Sequence, residues 1–240
     1  MIKSVFVLGS TSKVAEAICL ELANKGCIEF HLVSRNQEKN FHIKSRLAKY
    51  NVLITEEYND LMQNTFFDKP FIPEIKKYDL YLIVSGYLGS NKEAQVNIKE
   101  SLKIINSNYV GLIPWLNSIL TSNRISEPGK LWVFSSVASD IGRPSNYFYG
   151  AAKSALTTHC EGLLAKCFNK PFQIRIIKAG FIKTPMSEGK APEILCISPK
   201  KLAKILLMNP NKRGVEYLPS WWFLVMQFVK RLPKFILSKM

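Results

Sequence analysis

The sequence predicts an α/β protein, a doubly wound parallel sheet of about seven strands with helices on both faces and a C-terminal amphipathic helix. Three observations predict it. Short apolar runs that end in Gly/Ser turn chemistry alternate with segments of helical period, the pattern of repeated βαβ units. The first unit, from strand through turn and helix to a second strand, is complete within about thirty residues. The chain has 240 residues, 47% of them hydrophobic, which suits one large domain with a sizeable core. That domain is expected over residues 1–218, with 219–240 as an apolar, basic tail.

Val5-Phe6-Val7-Leu8 reads as a buried strand and Gly9-Ser10-Thr11-Ser12 as a turn. A helix follows, with Val14, Ala15, Ile18, Leu22 and Ala23 at helical spacing and Gly26 at its end. Phe30-His31-Leu32-Val33 is the second strand, with Ser34-Arg35 at its tip. The helix start beside Lys13 and Val14 would offer backbone N–H groups and a positive dipole to a pyrophosphate. Residues 36–50 read as a basic amphipathic helix, and Val52-Leu53-Ile54 as a third strand leading to Asp60-Leu61. Tyr81-Leu82-Ile83-Val84 is the next strand and runs into Ser85-Gly86-Tyr87-Leu88-Gly89. A long helix is expected over residues 100–122. Leu131-Trp132-Val133-Phe134 is a buried strand ending in Ser135-Ser136, and a helix opens near Tyr147. A helix through His159 leads to the sixth strand, Ile174-Arg175-Ile176-Ile177. A substrate loop (186–198), a helix (Pro199–Met208) and a short strand (215–218) complete the domain.

The chemistry concentrates in residues 136–153. Tyr149 and Lys153, four apart on a helix, share one face, and no other tyrosine has a lysine four positions on. A phenol titrates near ~10 in water, and a neighbouring ammonium favours its ionised form. Tyr149 is therefore expected to exchange a proton near neutral pH, with the Ser136 hydroxyl holding the reacting oxygen. The bare Tyr-x-x-x-Lys pair also fits a surface helix with a snorkelling lysine; the strand-end serine thirteen residues earlier favours the site.

Cys19, Cys27, Cys160, Cys167 and Cys196 are scattered without a Cys-x-x-Cys pair, which argues for reduced thiols and against zinc or a disulfide framework. His31, His42 and His159 are isolated, so no metal is expected. No segment reaches the ~18 apolar residues of a membrane span. The net charge is +15, and residues 200–240 hold nine Lys/Arg against one Glu. From Trp221-Trp222-Phe223 onward, aromatic and aliphatic residues run on into Lys230, Arg231, Lys234 and Lys239. That pattern suits a helix in a membrane interface, or one docked on its own domain or on a partner subunit. Nucleic acid is not expected, since no binding module accompanies the charge.

Residues 2–218 resemble the short-chain dehydrogenase/reductase family, which implies a Rossmann-type fold. The resemblance rests on Asn108, Ser136, Tyr149 and Lys153 in order, Gly111 after Asn108, and Gly180, Ile182 and Thr184. It implies that Asn108 interrupts its helix and anchors a proton-relay water, and that Lys153 lowers the Tyr149 pKa and holds the ribose. Thr184 and its neighbours would meet the nicotinamide carboxamide, and Asp60 with Leu61 the adenine. In the phosphate loop only Gly9 of the family's three glycines is kept; Lys13 and Ala15 stand for the others. Gly86 matches the glycine of the family's Asn-Asn-Ala-Gly segment, after Ser85. With no acid beside Ser34 and with Arg35 next to it, NADPH is favoured over NADH.

The altered loop, Gly86-Tyr87-Leu88-Gly89 and the tail are similar to one branch, the decaprenylphosphoryl-2-keto-erythropentose reductases. That likeness implies reduction of a ketone to a secondary alcohol, on a keto sugar that is lipid-linked, in cell-envelope biosynthesis. With the reduced thiols, it implies a cytoplasmic enzyme at the inner face of the membrane; the family resemblance implies assembly as a homodimer or homotetramer. The eroded glycine loop keeps open a non-catalytic nucleotide-sensing or membrane-adaptor protein.

Overall fold

The computed structural model describes residues 1–63, 71–189 and 192–239. In chain order the elements are β1 (Ser4–Leu8), α1 (Lys13–Asn24), β2 (Glu29–Ser34), α2 (Gln37–Leu47), β3 (Leu53–Tyr58) and β4 (Leu80–Ile83). They continue with α3 (Asn91–Ala94), α4 (Ile98–Asn108), α5 (Ile113–Ile119), α6 (Ser122–Ile125), β5 (Gly129–Ser136) and α7 (Tyr147–Lys166). The remainder is β6 (Phe172–Ala179), β7 (Phe181–Ile182), β8 (Cys196–Ile197), α8 (Pro199–Met208), β9 (Gly214–Leu218), α9 (Trp222–Val229) and α10 (Lys234–Leu237).

Seven strands form one parallel sheet in the order β3-β2-β1-β4-β5-β6-β9, and β7 pairs with β8 separately. Strand periodicity explains why both faces are covered. Val5 and Val7 of β1 join the apolar cluster under α1, α2 and α8, while Phe6 and Leu8 join the cluster under α5 and α7. Continuous apolar strands of this kind have no face left for water. The order reverses between β1 and β4, the switch point where doubly wound sheets open a crevice at their carboxyl ends.

One element follows the family resemblance and one departs from the sequence reading. The helix expected over 100–122 is interrupted at Asn108, as the resemblance implies: α4 ends there, Tyr109 takes φ −147° and ψ −69°, and a 3-10 turn over Val110–Leu112 precedes α5. Gly111 allows the break, since a β-carbon there would lie 2.4 Å from the Leu61 carbonyl oxygen. The tail is not one amphipathic helix but two short ones. Trp222, Met226 and Val229 pack inward on Val137, Phe181 and Tyr217. Phe223, Leu224 and Phe228 face outward, so α9 is apolar on both sides and its charges follow its last turn. The tail is docked on its own domain, as one of the sequence alternatives had it. Met240 lies outside the described residues.

Candidate active site

The carboxyl ends of β1, β2, β4, β5 and β6 border a cleft of about 1160 Å³, somewhat larger than the usual small-ligand pocket. All the residues expected to bind cofactor line it, together with Ser136.

The β1–α1 turn is built for close approach. Gly9 sits at φ +90°, and its backbone passes so near Ser85 that a β-carbon would lie 2.6 Å from the Ser85 nitrogen. Ser12 caps α1 by accepting from Val14 N at 3.2 Å, leaving the helix start open toward the cleft. Ser10, expected beside the phosphates, instead turns its hydroxyl inward. It donates to Val33 O at 3.2 Å, contacts Asn40 Oδ1 at 2.5 Å, and is fully buried. Lys13 is also engaged, at 3.0 Å from Glu16 Oε2. Burial pushes the Glu16 carboxyl up, but hydrogen bonds from Lys13 and Arg46 outweigh it and hold the group below its ordinary value. Ser34 donates to Asn36 O at 3.1 Å, so only Arg35 offers a charge from the β2 tip to the cleft. Asp60 Oδ1 accepts from Met62 N at 3.1 Å, ordering the turn that carries Leu61.

At the centre, Lys153 is 3% exposed and its Nζ donates to Phe134 O at 3.0 Å and Ser85 O at 3.4 Å. Both acceptors are carbonyls, so burial is uncompensated by a carboxylate and pulls the lysine down to about 8. Its Nζ lies 6.0 Å from the centroid of the Tyr149 ring. Burial pushes Tyr149 up to about 12, against the pull of its hydrogen bond with Ser136. The direction is opposite to the expected lowering: desolvation outweighs the Ser136 hydrogen bond, and the phenol keeps its proton at neutral pH. Ser136 Oγ also accepts from Ala138 N at 3.1 Å, which orients it.

Asn108 acts through the backbone. Its Nδ2 donates to Tyr87 O at 2.6 Å and Ile104 O at 2.8 Å, while its Oδ1 accepts from Tyr87 N at 3.2 Å. It thus latches the segment after β4, and Gly86 is small because Asn108 Oδ1 and Lys153 Nζ stand 3.1 and 3.6 Å from where a β-carbon would be. Gly180 lines the cleft but also makes room for Trp222, whose Nε1 would lie 1.9 Å from a β-carbon there. Thr184 and Met186 border the cleft on a turn pinned by Ser187, whose hydroxyl donates to Ile182 O and Thr184 O. Residues 190 and 191 of the expected 186–198 loop lie outside the described residues.

Sequence reasoning missed Glu100, Asn91 and Arg143. Glu100 Oε1 accepts from Tyr87 Oη at 2.9 Å and Ser90 N at 3.0 Å, and Asn91 Nδ2 donates to Pro144 O at 2.9 Å. A carboxylate in a helix pattern and an arginine in a Gly/Pro loop both read as solvent-facing, and no spacing marks them otherwise.

The cleft fits a dinucleotide: the switch point, the close-approach glycine and an open helix start lie at one end, Tyr149 and Lys153 at the other. This arrangement defines a Rossmann-type domain of the dehydrogenase/reductase class. The short chain dehydrogenase family matches residues 3–194, and the chain belongs to that family. An uncharacterized oxidoreductase of Mycobacterium tuberculosis is 30% identical over 162 residues, covering 66% of this chain and 64% of that relative. The chain thus aligns with less than two thirds of that relative's length. A short-chain dehydrogenase from Sphingobium yanoikuyae in complex with NADPH has the same fold, with TM-score 0.77, 14% identity, and coverage of 96% of this chain and 94% of that one. An actinorhodin polyketide ketoreductase with NADPH superposes at TM-score 0.70 and 15% identity, covering 86% and 89%.

Proposed function

We propose that the protein reduces a ketone to a secondary alcohol with NADPH. The observation that carries this reading is Tyr149 on the cleft, hydrogen-bonded to Ser136 and with the Lys153 Nζ 6.0 Å from its ring centroid. A bound dihydronicotinamide supplies the hydride. Ser136 orients the carbonyl oxygen, and Tyr149 gives it the proton from its phenol oxygen. Lys153 offers its ammonium to the phenolate that forms and to the nicotinamide ribose. Asn108 keeps the Gly86-Tyr87 backbone in place against Lys153. Gly9, Thr11, Ser12, Lys13 and Val14 frame the pyrophosphate, Asp60 and Leu61 the adenine, and Gly180, Ile182 and Thr184 the carboxamide.

Preference for NADPH is supported by Arg35 on the cleft, the absence of an acid beside Ser34, and the NADPH carried by the two solved structures of the same fold. A keto sugar on a polyprenyl phosphate is the substrate favoured by the branch likeness. The apolar outer side of α9, with Lys230, Arg231 and Lys234 after it, supports a site of action at the inner face of a membrane. Assembly as a homodimer or homotetramer would use α4 and α7. The test is a tryptophan-fluorescence titration with NADPH and NADH. Tight binding of NADPH supports the reading, and binding of neither sends it back to a non-catalytic protein.

A further inference from the structure

Arg143 lies on the loop between Ser136 and Tyr149, and its side chain lines the cleft beside Ser145, Asn146 and Tyr149. The loop is tied by hydrogen bonds to its surroundings. Asn146 N donates to Arg143 O at 3.1 Å, Asn91 Nδ2 donates to Pro144 O at 2.9 Å, and Asn91 Oδ1 accepts from Phe148 N at 3.3 Å. Despite this order, the guanidinium has no partner among the described residues. Its Nε is buried without a hydrogen bond. Burial alone acts on its pKa, lowering it, with no carboxylate opposing. The one acid on the same loop, Asp140, is already committed to Lys178 at 2.6 Å, Tyr217 Oη at 2.6 Å and Lys230 at 3.6 Å. A half-buried cation whose Nε has no partner is costly, and a planar five-donor fork matches a carboxylate or phosphate.

We propose that Arg143 is the specificity residue for an oxyanion carried by the substrate, a carboxylate or a phosphate, on the same molecule as the reducible ketone. This rests on the reductase reading, which puts the carbonyl at Tyr149. The oxyanion satisfies the half-buried guanidinium and fixes which side of the ketone faces the cofactor. A neutral ketone leaves the cation unpaired and binds more weakly.

The test is calorimetric titration of the full chain, with and without NADP⁺, using two pairs of probes. One pair is 4-oxocyclohexanecarboxylate and its methyl ester; the other is dihydroxyacetone phosphate and dihydroxyacetone. The expected result is that at least one anionic ketone binds the NADP⁺ complex about ten- to hundredfold more tightly than its neutral partner, the range of a charge-assisted hydrogen bond. In Arg143→Met the ratio falls toward one, and in Arg143→Lys it recovers in part. The pair with the larger ratio names the oxyanion. Equal ratios in the parent protein and Arg143→Met, or no preference in either pair, would overturn the assignment. A chain that takes no NADP⁺ but still prefers the anion through Arg143 would contradict the reductase reading, and would overturn the substrate role of Arg143 while leaving it an oxyanion site.

Discussion

Trp222 occupies the space that a side chain on Gly180 would need: a β-carbon at Gly180 would lie 1.9 Å from the indole Nε1. The two residues join the docked tail to the segment that borders the cleft. Trp222 is 6% exposed, and its ring meets Phe181 edge-on at 5.6 Å between centroids.

This junction predicts that the tail is part of the folded domain. Trp222→Ala should destabilise the protein by about 3–5 kcal/mol, the usual cost of truncating a buried tryptophan. Gly180→Ala should undock α9, because a β-carbon 1.9 Å from the indole Nε1 leaves no room for the ring unless the helix moves. Thermal melting and amide hydrogen exchange over residues 222–229 read both effects. Unchanged melting and exchange in the two variants would mean the tail is not held by this contact.

Much of this arrangement is visible in the chain without a structure, for reasons that separate local from long-range causes. Alternation places Val5 and Val7 on one face and Phe6 and Leu8 on the other, and the Tyr149–Lys153 spacing sets both on one helix face. The interruption at Asn108 is legible through the family resemblance, but the packing of Leu61 against Gly111, far away in sequence, is not. The docking of Trp222 depends on Gly180, and the half-buried Arg143 sits on a loop that Asn91 ties down. Burial likewise reverses the expected shift of Tyr149, since a four-residue spacing carries no information about desolvation.

The pH profile follows from Lys153. Burial brings it down to about 8 and takes Tyr149 up to about 12. Below about 8 the ammonium is charged and the phenol protonated, the forms that reduction needs. We expect kcat/KM for ketone reduction to be flat up to about pH 7.5 and to fall about tenfold per unit above about 8, as loss of one proton from the free enzyme requires. A plateau reaching pH 10 would show that the lysine charge is not used. The same shift acts on stability. The folded pKa lies below the unfolded value of 10.5, so the unfolded chain holds the extra proton between about 8 and 10.5. This group's contribution to stability therefore rises with pH through that window.

Arg35 is the charge that the β2 tip offers to a 2′-phosphate. Replacing Arg35 with alanine should weaken NADPH binding by about ten- to hundredfold relative to NADH, the range of a charge-assisted hydrogen bond. Fluorescence titration of both nucleotides measures the ratio. A ratio equal to that of the parent protein would remove Arg35 from cofactor choice.

The central claim is that Tyr149 donates the proton. NADPH oxidation by a panel of ketones, followed in the parent protein and in Tyr149→Phe, tests it most directly, with NADPH binding measured on both. The account predicts that the variant still binds NADPH and that its rate with every ketone the parent reduces falls by about a hundredfold or more, the worth of a positioned general acid. A Tyr149→Phe protein that oxidises NADPH at the parent's rate would contradict it.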